Sequence, residues 1–484
     1  MSDNWLNLQI EENILDSPMM SNFQMSCDIL SINLRLCLLT FAVFPEKQLI
    51  KKKPLIYWWI GEGFIIKSSN KTAEEAGEET FMELIDKGLI HPSHKTPKNP
   101  VIYGCTVHPW IHRMLISMAR QANFFDLDTM GKNEKIKVLQ LGRWQSSPRH
   151  HIEIEEGKFL DKLKTQKQLK YLSLRGISRI TTLPSSIAGC QNLEILDLRA
   201  CHNLETLPFD IGSFKKLTHF DVSECYLLEI LPNGLEKLSS IEVLKGFVVY
   251  HWRKNSCSMA FLNDFKKLIK LSINVGITYQ VRPWFRLPLL KPLFFGLRIL
   301  IIIWQMRSTS VDQTNKDEEK RRLYLFENIS FPNLEKLDLR YFPDTLLPSW
   351  ISPENMGNLK RLYIRGGMLE TLLSVSEMFN PWKVEILRLN YLKNFRFQTS
   401  FDVQKEFPRL SYLERINCNR IADGKYDANI EWRVDDGWDM LKSKLGSESS
   451  DGLHKPQITD SINDKAARFL SLIMKDRKAK QPLK

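Results

Sequence analysis

The 484-residue sequence opens, at MSDNWLNLQIEEN, without the basic stretch and apolar run of a secretory signal. It also lacks a run of about 18–20 apolar residues. Its most apolar stretch, Leu297 to Trp304, is too short to cross a bilayer and reads as a buried strand. These two absences give an expectation of a cytoplasmic chain with no membrane span. The eight cysteines lack the clustered spacing of a secreted disulfide framework and are expected as thiols. Catalytic signatures are missing as well: there is no nucleophile elbow, kinase set or H-E-x-x-H helix, so no catalytic residue is assigned and the chain reads as a non-enzyme. Nor is there a G-x-x-x-x-G-K-[ST] loop, whose backbone donors and lysine would cradle nucleotide phosphates, so no bound cofactor is expected.

What is present is an ordinary globular composition, 43% apolar and 26% charged, which excludes wholesale disorder. A net charge of +12 favours acidic partners. The middle of the chain repeats with a period of 24: Leu169, Leu193, Leu217 and Ile241 are equally spaced. The same step relates Leu172, Leu196, Phe220 and Leu244, then Leu174, Leu198 and Val222, and it relates Leu183, Leu207 and Leu231, each followed by proline. This is the L-x-x-L-x-L-x-x-(N/C)-x-x-L-x-x-L-P pattern of a leucine-rich repeat. A short strand sends alternate residues inward, and no unit can bury its apolar edge without neighbours. Cys201 and Cys225 stand at the N/C position, where a thiol can bond loop backbone of the adjacent repeat. The spacing loosens beyond Ile241 but continues through Leu271, Leu300, Leu337, Leu362 and Leu387. The charged stretch 307–322 has no apolar period and reads as an exposed insertion. After Asp423, helices are expected near Trp432–Leu445 and Ser461–Lys475, the second as a cap on the array.

Before the repeats, Ser31–Phe44 reads as a helix stopped by Pro45, Leu55–Phe64 as a helix entered at Pro54, and the stretch from Thr72 as a third helix ending at Gly88. Leu89–His91 and Val101–Val107 flank SHKTPKNP as a hairpin. Three helices and a β-wing make a winged helix. The fold class is therefore α/β: a leucine-rich-repeat solenoid, or horseshoe, preceded by a small winged-helix domain. The expected division is 1–26 an N-terminal segment of little order, 27–130 the winged helix, 131–422 the repeats and 423–484 a helical tail.

CLLTFAVFPEKQLIKKKPLIYWWIGEGFI, FMELIDKGLI and VHPWIHRMLISMA, followed by repeats with LP turns, resemble in this order the winged-helix end of the nucleotide-binding region and the leucine-rich repeats of plant NLR disease resistance proteins of the coiled-coil class, over about residues 27–420. The resemblance implies a defence function, with the repeats recognising a pathogen effector or a guarded host protein and an intact NLR as a further partner. It also implies that His108 is the remnant of the family's Met-His-Asp motif, whose histidine helps hold ADP or ATP. Val107 and Pro109 replace the methionine and aspartate, and the missing phosphate loop leaves a truncated receptor without its own nucleotide switch.

Three other readings come from the same residues. His91, His94, Cys105 and His108 have a spacing open to zinc, but polar residues in a hairpin flank and tip are the better account of it and no metal is assigned. A winged helix with Lys51, Lys52 and Lys53 could meet DNA phosphates, but Trp58, Trp59 and Ile60 dominate the second helix and cannot read base edges, which argues against nucleic acid. An F-box-like ubiquitin-ligase adaptor would need a different N-terminal helical signature. His108 and His112, i,i+4 apart, are placed at a helix start and on its polar face. The candidate partner surface is the strand side of the solenoid, where residues between the inward leucines point outward: Tyr171, Ser173, Arg175, Asp197, Arg199, His219 and Asp221, then Asp338, Arg340, Tyr363, Arg365 and Arg388. Arg175, Arg199, Arg340 and Arg365 form one column, which reads either as a solvated face or as a surface that meets an acidic patch on a partner or on another receptor domain.

Overall fold

The computed structural model describes residues 18–435 apart from 68–70, 95–98, 123, 125–135, 144–159, 161–162, 164, 229–230, 233, 250–261, 263, 277–295, 306–330, 373–380, 397–402, 404 and 419–430. The insertion 307–322 and the expected helix at 461–475 lie outside the described residues.

The first unit is helical. Helix α1 spans Pro18–Asp28 and so overlaps the end of the 1–26 segment expected to have little order. Helix α2, Ile32–Leu39, is capped by the Ser31 hydroxyl and tightens into a 3-10 turn at Thr40–Val43 before Pro45. Strand β1, Ile50–Lys51, leads into α3, Lys52–Glu62, which begins two residues before Pro54 and closes on Gly63 in the left-handed region. Helix α4, Ala73–Asp86, starts at a capping box in which Thr72 and Glu75 satisfy each other's backbone donors. The wing is β2, His91–His94, antiparallel to β3, Ile102–Thr106, with β1 on the other edge of β3. Helix α5, Pro109–Gln121, follows with His108 as its N-cap. Leu38, Phe41, Leu55, Trp59, Phe81 and Leu115 fill the core between these elements, and the Trp59 indole donates to the Thr40 hydroxyl at 2.9 Å.

The second unit is a sheet of twelve parallel strands in chain order. Strand β4, Val138–Gln140, pairs with β5, Tyr171–Ser173, followed by β6, Ile195–Asp197, and β7, His219–Asp221. The array continues through β8 (Val243–Val249), β9 (Lys270–Val275), β10 (Ile299–Trp304), β11 (Lys336–Phe342), β12 (Arg361–Gly367), β13 (Ile386–Asn390), β14 (Tyr412–Ile416) and β15 (Glu431–Asp435). The last strand replaces the helix expected from Trp432, because the neighbouring edge of β14 offers ladder partners in register Leu413↔Trp432.

Every repeat position read from the 24-residue period is buried in one continuous core running from Leu160 to Cys418. Pro184 and Pro208 each open a 3-10 turn on the far side of the strands, where the missing N–H costs no ladder bond. The thiols of Cys201 and Cys225 reach the carbonyls of Leu174 and Leu198 one unit earlier, both at 3.2 Å, and Cys418 repeats this on Leu389 at 3.2 Å. Burial pushes the Cys201 thiol up to about 12, as suits a neutral donor.

Two residues past the third inward position the chain enters the left-handed region in unit after unit. Gly176 and Gly366 do so freely, while Ala200, Glu224, Tyr341, Tyr391 and Asn417 do so with a Cβ, at about 1–2 kcal/mol each.

Candidate functional site

The strand side of the solenoid is not open along its length. The winged helix packs most closely on the N-terminal strands, where Tyr171 and Ile195, which face outward from the repeats, belong to its own hydrophobic core, and it reaches as far as Arg388 of β13 through Asn99. The approach is close because α3 presents Gly61: a Cβ there would stand 2.7 Å from the Tyr171 Cβ and 2.8 Å from Val138. The Tyr171 hydroxyl donates to Gln140 at 2.5 Å, while Ser173 donates to Asp197 at 3.4 Å across the strands.

Around this apolar contact stands a ring of charge. Glu74 of α4 points at the face and is held by Lys53, with His219 Nε2 at 3.5 Å. Burial alone would raise Glu74, but Lys53, Lys270 and His219 hold its carboxyl well below the usual range. Lys270 is the counterpart: burial, partly offset by Glu74, pushes its ammonium down to about 7. Tyr57 of α3 packs edge-on against His219, ring centroids 5.0 Å apart, with Lys245 Nζ 5.9 Å above it. Burial, then the carboxylates Glu74, Asp221 and Asp197, push the Tyr57 phenol well above its ordinary range. Asp221 answers Lys245 at 2.7 Å. Further pairs tie the units: Lys67 to Glu242, Arg298 to Glu75, and Arg388 Nη2 donating to Asn99 beside the wing at 2.6 Å.

The candidate partner residues therefore divide. Tyr171, Ser173, Arg175, Asp197, His219 and Asp221 are buried, not available as an open surface, because the winged helix and neighbouring side chains cover them. Arg199 is occupied by Glu224. Asp338 is buried beneath Arg340, at 3.1 Å, and Arg365, at 3.7 Å, so one carboxylate serves two guanidiniums, and both arginine side chains keep about a third of their surface exposed. Tyr363 lies between Lys336 and Arg388, whose cations stand 4.4 and 4.6 Å from its ring centroid. The arginine column is not one surface: Arg175 is buried, Arg199 has its own carboxylate in Glu224, and Arg340 and Arg365 share one in Asp338, the last three being part-exposed.

His108 is exposed and its Nδ1 accepts from the Trp110 N–H at 3.3 Å, so it is used as a helix cap. His112, expected on a polar face, is buried and shares a hydrogen bond with the Phe44 carbonyl at 2.7 Å. It ties α5 to the 3-10 turn. His91, His94, Cys105 and His108 do not converge as metal ligands among the described residues. Cys105 is buried with its thiol pushed up to about 12. Lys52 and Lys53 are engaged by Glu78 at 2.5 and 2.7 Å and Lys51 lies over Tyr103, while α3 is packed between the winged-helix core and the solenoid. A helix so enclosed cannot enter a DNA groove.

Sequence reading missed Glu74, Tyr57, Lys270 and Gly61. The only sequence signal was the run Glu74, Glu75, Glu78 and Glu79 on one helix, in a chain whose net charge is +12. Such a run also suits a solvated helix face.

The family model for the leucine-rich repeat region matches residues 123–421, and that for the disease resistance protein winged helix domain matches residues 43–115. The chain is 26% identical over 445 residues to disease resistance RPP13-like protein 4 of Arabidopsis thaliana, covering 83% of this chain and 50% of that protein. It is 33% identical over 103 residues to the ToMV susceptible protein tm-2 of Solanum lycopersicum, covering 21% of this chain and 12% of that one. Over 80 residues it is 30% identical to disease resistance protein RGA5 of Oryza sativa subsp. japonica, covering 16% and 7% respectively. Fold and family models thus define a leucine-rich-repeat solenoid carrying a winged helix before it. The chain belongs to the leucine-rich-repeat proteins and, within them, to the plant nucleotide-binding leucine-rich-repeat disease resistance family. It spans about half the length of the RPP13-like relative. No helix among the described residues is long and apolar enough to cross a membrane.

Proposed function

We propose that the chain acts in plant defence by recognising a protein, either a pathogen effector or a host protein that such an effector targets, through the part-exposed edge of its later repeats at Arg340 and Arg365. The observation that carries this reading is the contrast in charge pairing along the face. Over β5–β9 the cations meet acidic groups of the same chain, chiefly Glu74 and Asp221. Over β11 and β12, Arg340 and Arg365 share Asp338 and remain part-exposed. An under-compensated cationic face is suited to an acidic partner, and it sets orientation and on-rate more than raw affinity. The acidic patch expected opposite the column is thus supplied within the chain at one end and by a partner at the other. An intact receptor of the same family is a second partner of this kind.

The test is a pairwise binding screen of effectors and candidate host proteins against the full chain and its Arg340→Glu/Arg365→Glu variant. The expected result is at least one partner that binds the parent chain and is lost on charge reversal. Equal binding of all recovered partners to both forms overturns the reading.

A further inference from the structure

The left-handed position after each strand is filled most cheaply by glycine, and β12 uses Gly366 there. In the flanking units the equivalent residues are Tyr341, next to last in β11, φ 56°, and Tyr391, just after β13, φ 61°. A bulky residue in this region is an outlier that persists only where surroundings or function hold it. Core burial does not hold these two, since Tyr341 is 47% and Tyr391 58% exposed. Tyr341 is nonetheless positioned: a Cβ on Gly366 would come within 3.0 Å of its ring, so the phenol lies against the bare backbone of the next unit. Met368 follows β12 at the same rim, 49% exposed. Immediately before Tyr341 and Gly366 in sequence stand Arg340 and Arg365, with only Asp338 between them. Tyrosine and arginine are the side chains that most often carry binding energy in protein interfaces, and a fixed phenol loses little freedom on contact.

We propose that the rim formed by Tyr341, Met368 and Tyr391, with Arg340 and Arg365 beside it, is the docking strip for an extended segment of a protein partner in which acidic and apolar side chains alternate. The carboxylates meet the two guanidiniums and the apolar side chains lie on the phenols and the thioether. The proposal rests on the protein-recognition reading above and narrows it to a rim and a segment chemistry. Charge complementarity selects the acidic half of that chemistry, since one carboxylate faces two guanidiniums. The exposed aromatic and thioether surface selects the apolar half.

The probe is a fluorescent 12-residue peptide of alternating glutamate and leucine, titrated by anisotropy into the full chain, with a lysine–leucine peptide and inorganic phosphate as comparators. The expected result is saturable binding of the glutamate peptide, weakened about 10-fold or more by Tyr341→Gly/Tyr391→Gly and also by Arg365→Glu, as for hot-spot side chains. Neither the lysine peptide nor phosphate should compete. Because glycine suits the left-handed backbone, the double-glycine variant should melt no lower than the parent, which separates a binding role from a structural one. Unchanged affinity in the double-glycine variant, a lowered melting temperature, or displacement of the peptide by phosphate would each overturn the strip. If a partner found in the screen is lost on Arg340→Glu/Arg365→Glu but retained by the double-glycine variant, the strip fails and the broader recognition reading stands.

Discussion

The two halves of the solenoid share one core and one strand lattice and differ in what lies on their outward face. From β5 to β7 the unit is strict and each strand is three residues long. From β11 to β12 the unit is irregular and each strand is seven residues long. The regular half is a platform for the chain's own winged helix, with Tyr171 and Ile195 shared between two cores. The irregular half is touched by the winged-helix unit only through polar side chains such as Arg298 and Arg388, and it leaves Arg340, Arg365, Tyr341 and Tyr391 part-exposed. Repeat architecture supplies a surface in both halves. Which half can serve a partner depends on the domain beside it.

The comparison is most strongly broken at Glu74. Glu74→Lys sets a cation against Lys53, Lys270 and His219 in the interface, and should cost about 3–5 kcal/mol as an uncompensated buried charge. Calorimetry should then show the winged helix melting apart from the repeats, whereas Arg365→Glu should leave a single transition. By contrast, Leu172→Ala and Leu362→Ala, both fully buried in the shared core, should each cost about 2–5 kcal/mol by denaturant midpoint, showing that the halves do not differ inside.

Titration sharpens the same contrast. Lys270, pushed down to about 7 when folded, regains an ordinary value near ~10.4 on unfolding. Between those values the unfolded chain binds more protons, so stability should rise with pH. Above pH ~10 the sign reverses, because Tyr57 and Tyr171 ionise only after unfolding. Glu74, held low when folded, contributes stability above its unfolded value near ~4.3 that is lost as pH falls through its folded value. Thermal unfolding between pH 3 and pH 11 should show this profile, and Glu74→Gln should flatten its acid limb. The smallest effect is expected at Ala200→Gly, which relieves a left-handed alanine at φ 60° and should stabilise by about 0.5–1 kcal/mol in a thermal melt.

Much of the solenoid was legible because its determinants are local. The period carries Leu169, Leu193 and Leu217 inward, the prolines mark the turns, and Cys201 and Cys225 bond backbone one unit away. The winged-helix elements were legible for the same reason, through helix starts at Ser31 and Thr72, which the structure shows as caps, and the stop at Gly88, φ 70°. Reading failed where a neighbour decided. Residues 431–435 became a strand because β14 offered an edge, and His112 turned inward to the Phe44 carbonyl. The outward residues of β5–β7 were recognised as one face, but that Tyr171 and His219 would be roofed over was not legible, since nothing near them in the chain covers them.

The sequence by itself determined the repeat, its core positions, the turn chemistry and the winged helix before it, because a 24-residue period and a capping box act over distances the local backbone can sense. Only the tertiary structure decided which outward residues remain available. Glu74 meets His219 and Asn99 meets Arg388 across 145 and 289 positions. Such pairs are selected by the shape of two folded surfaces and by the penalty on unpaired buried charge, and no local pattern encodes either.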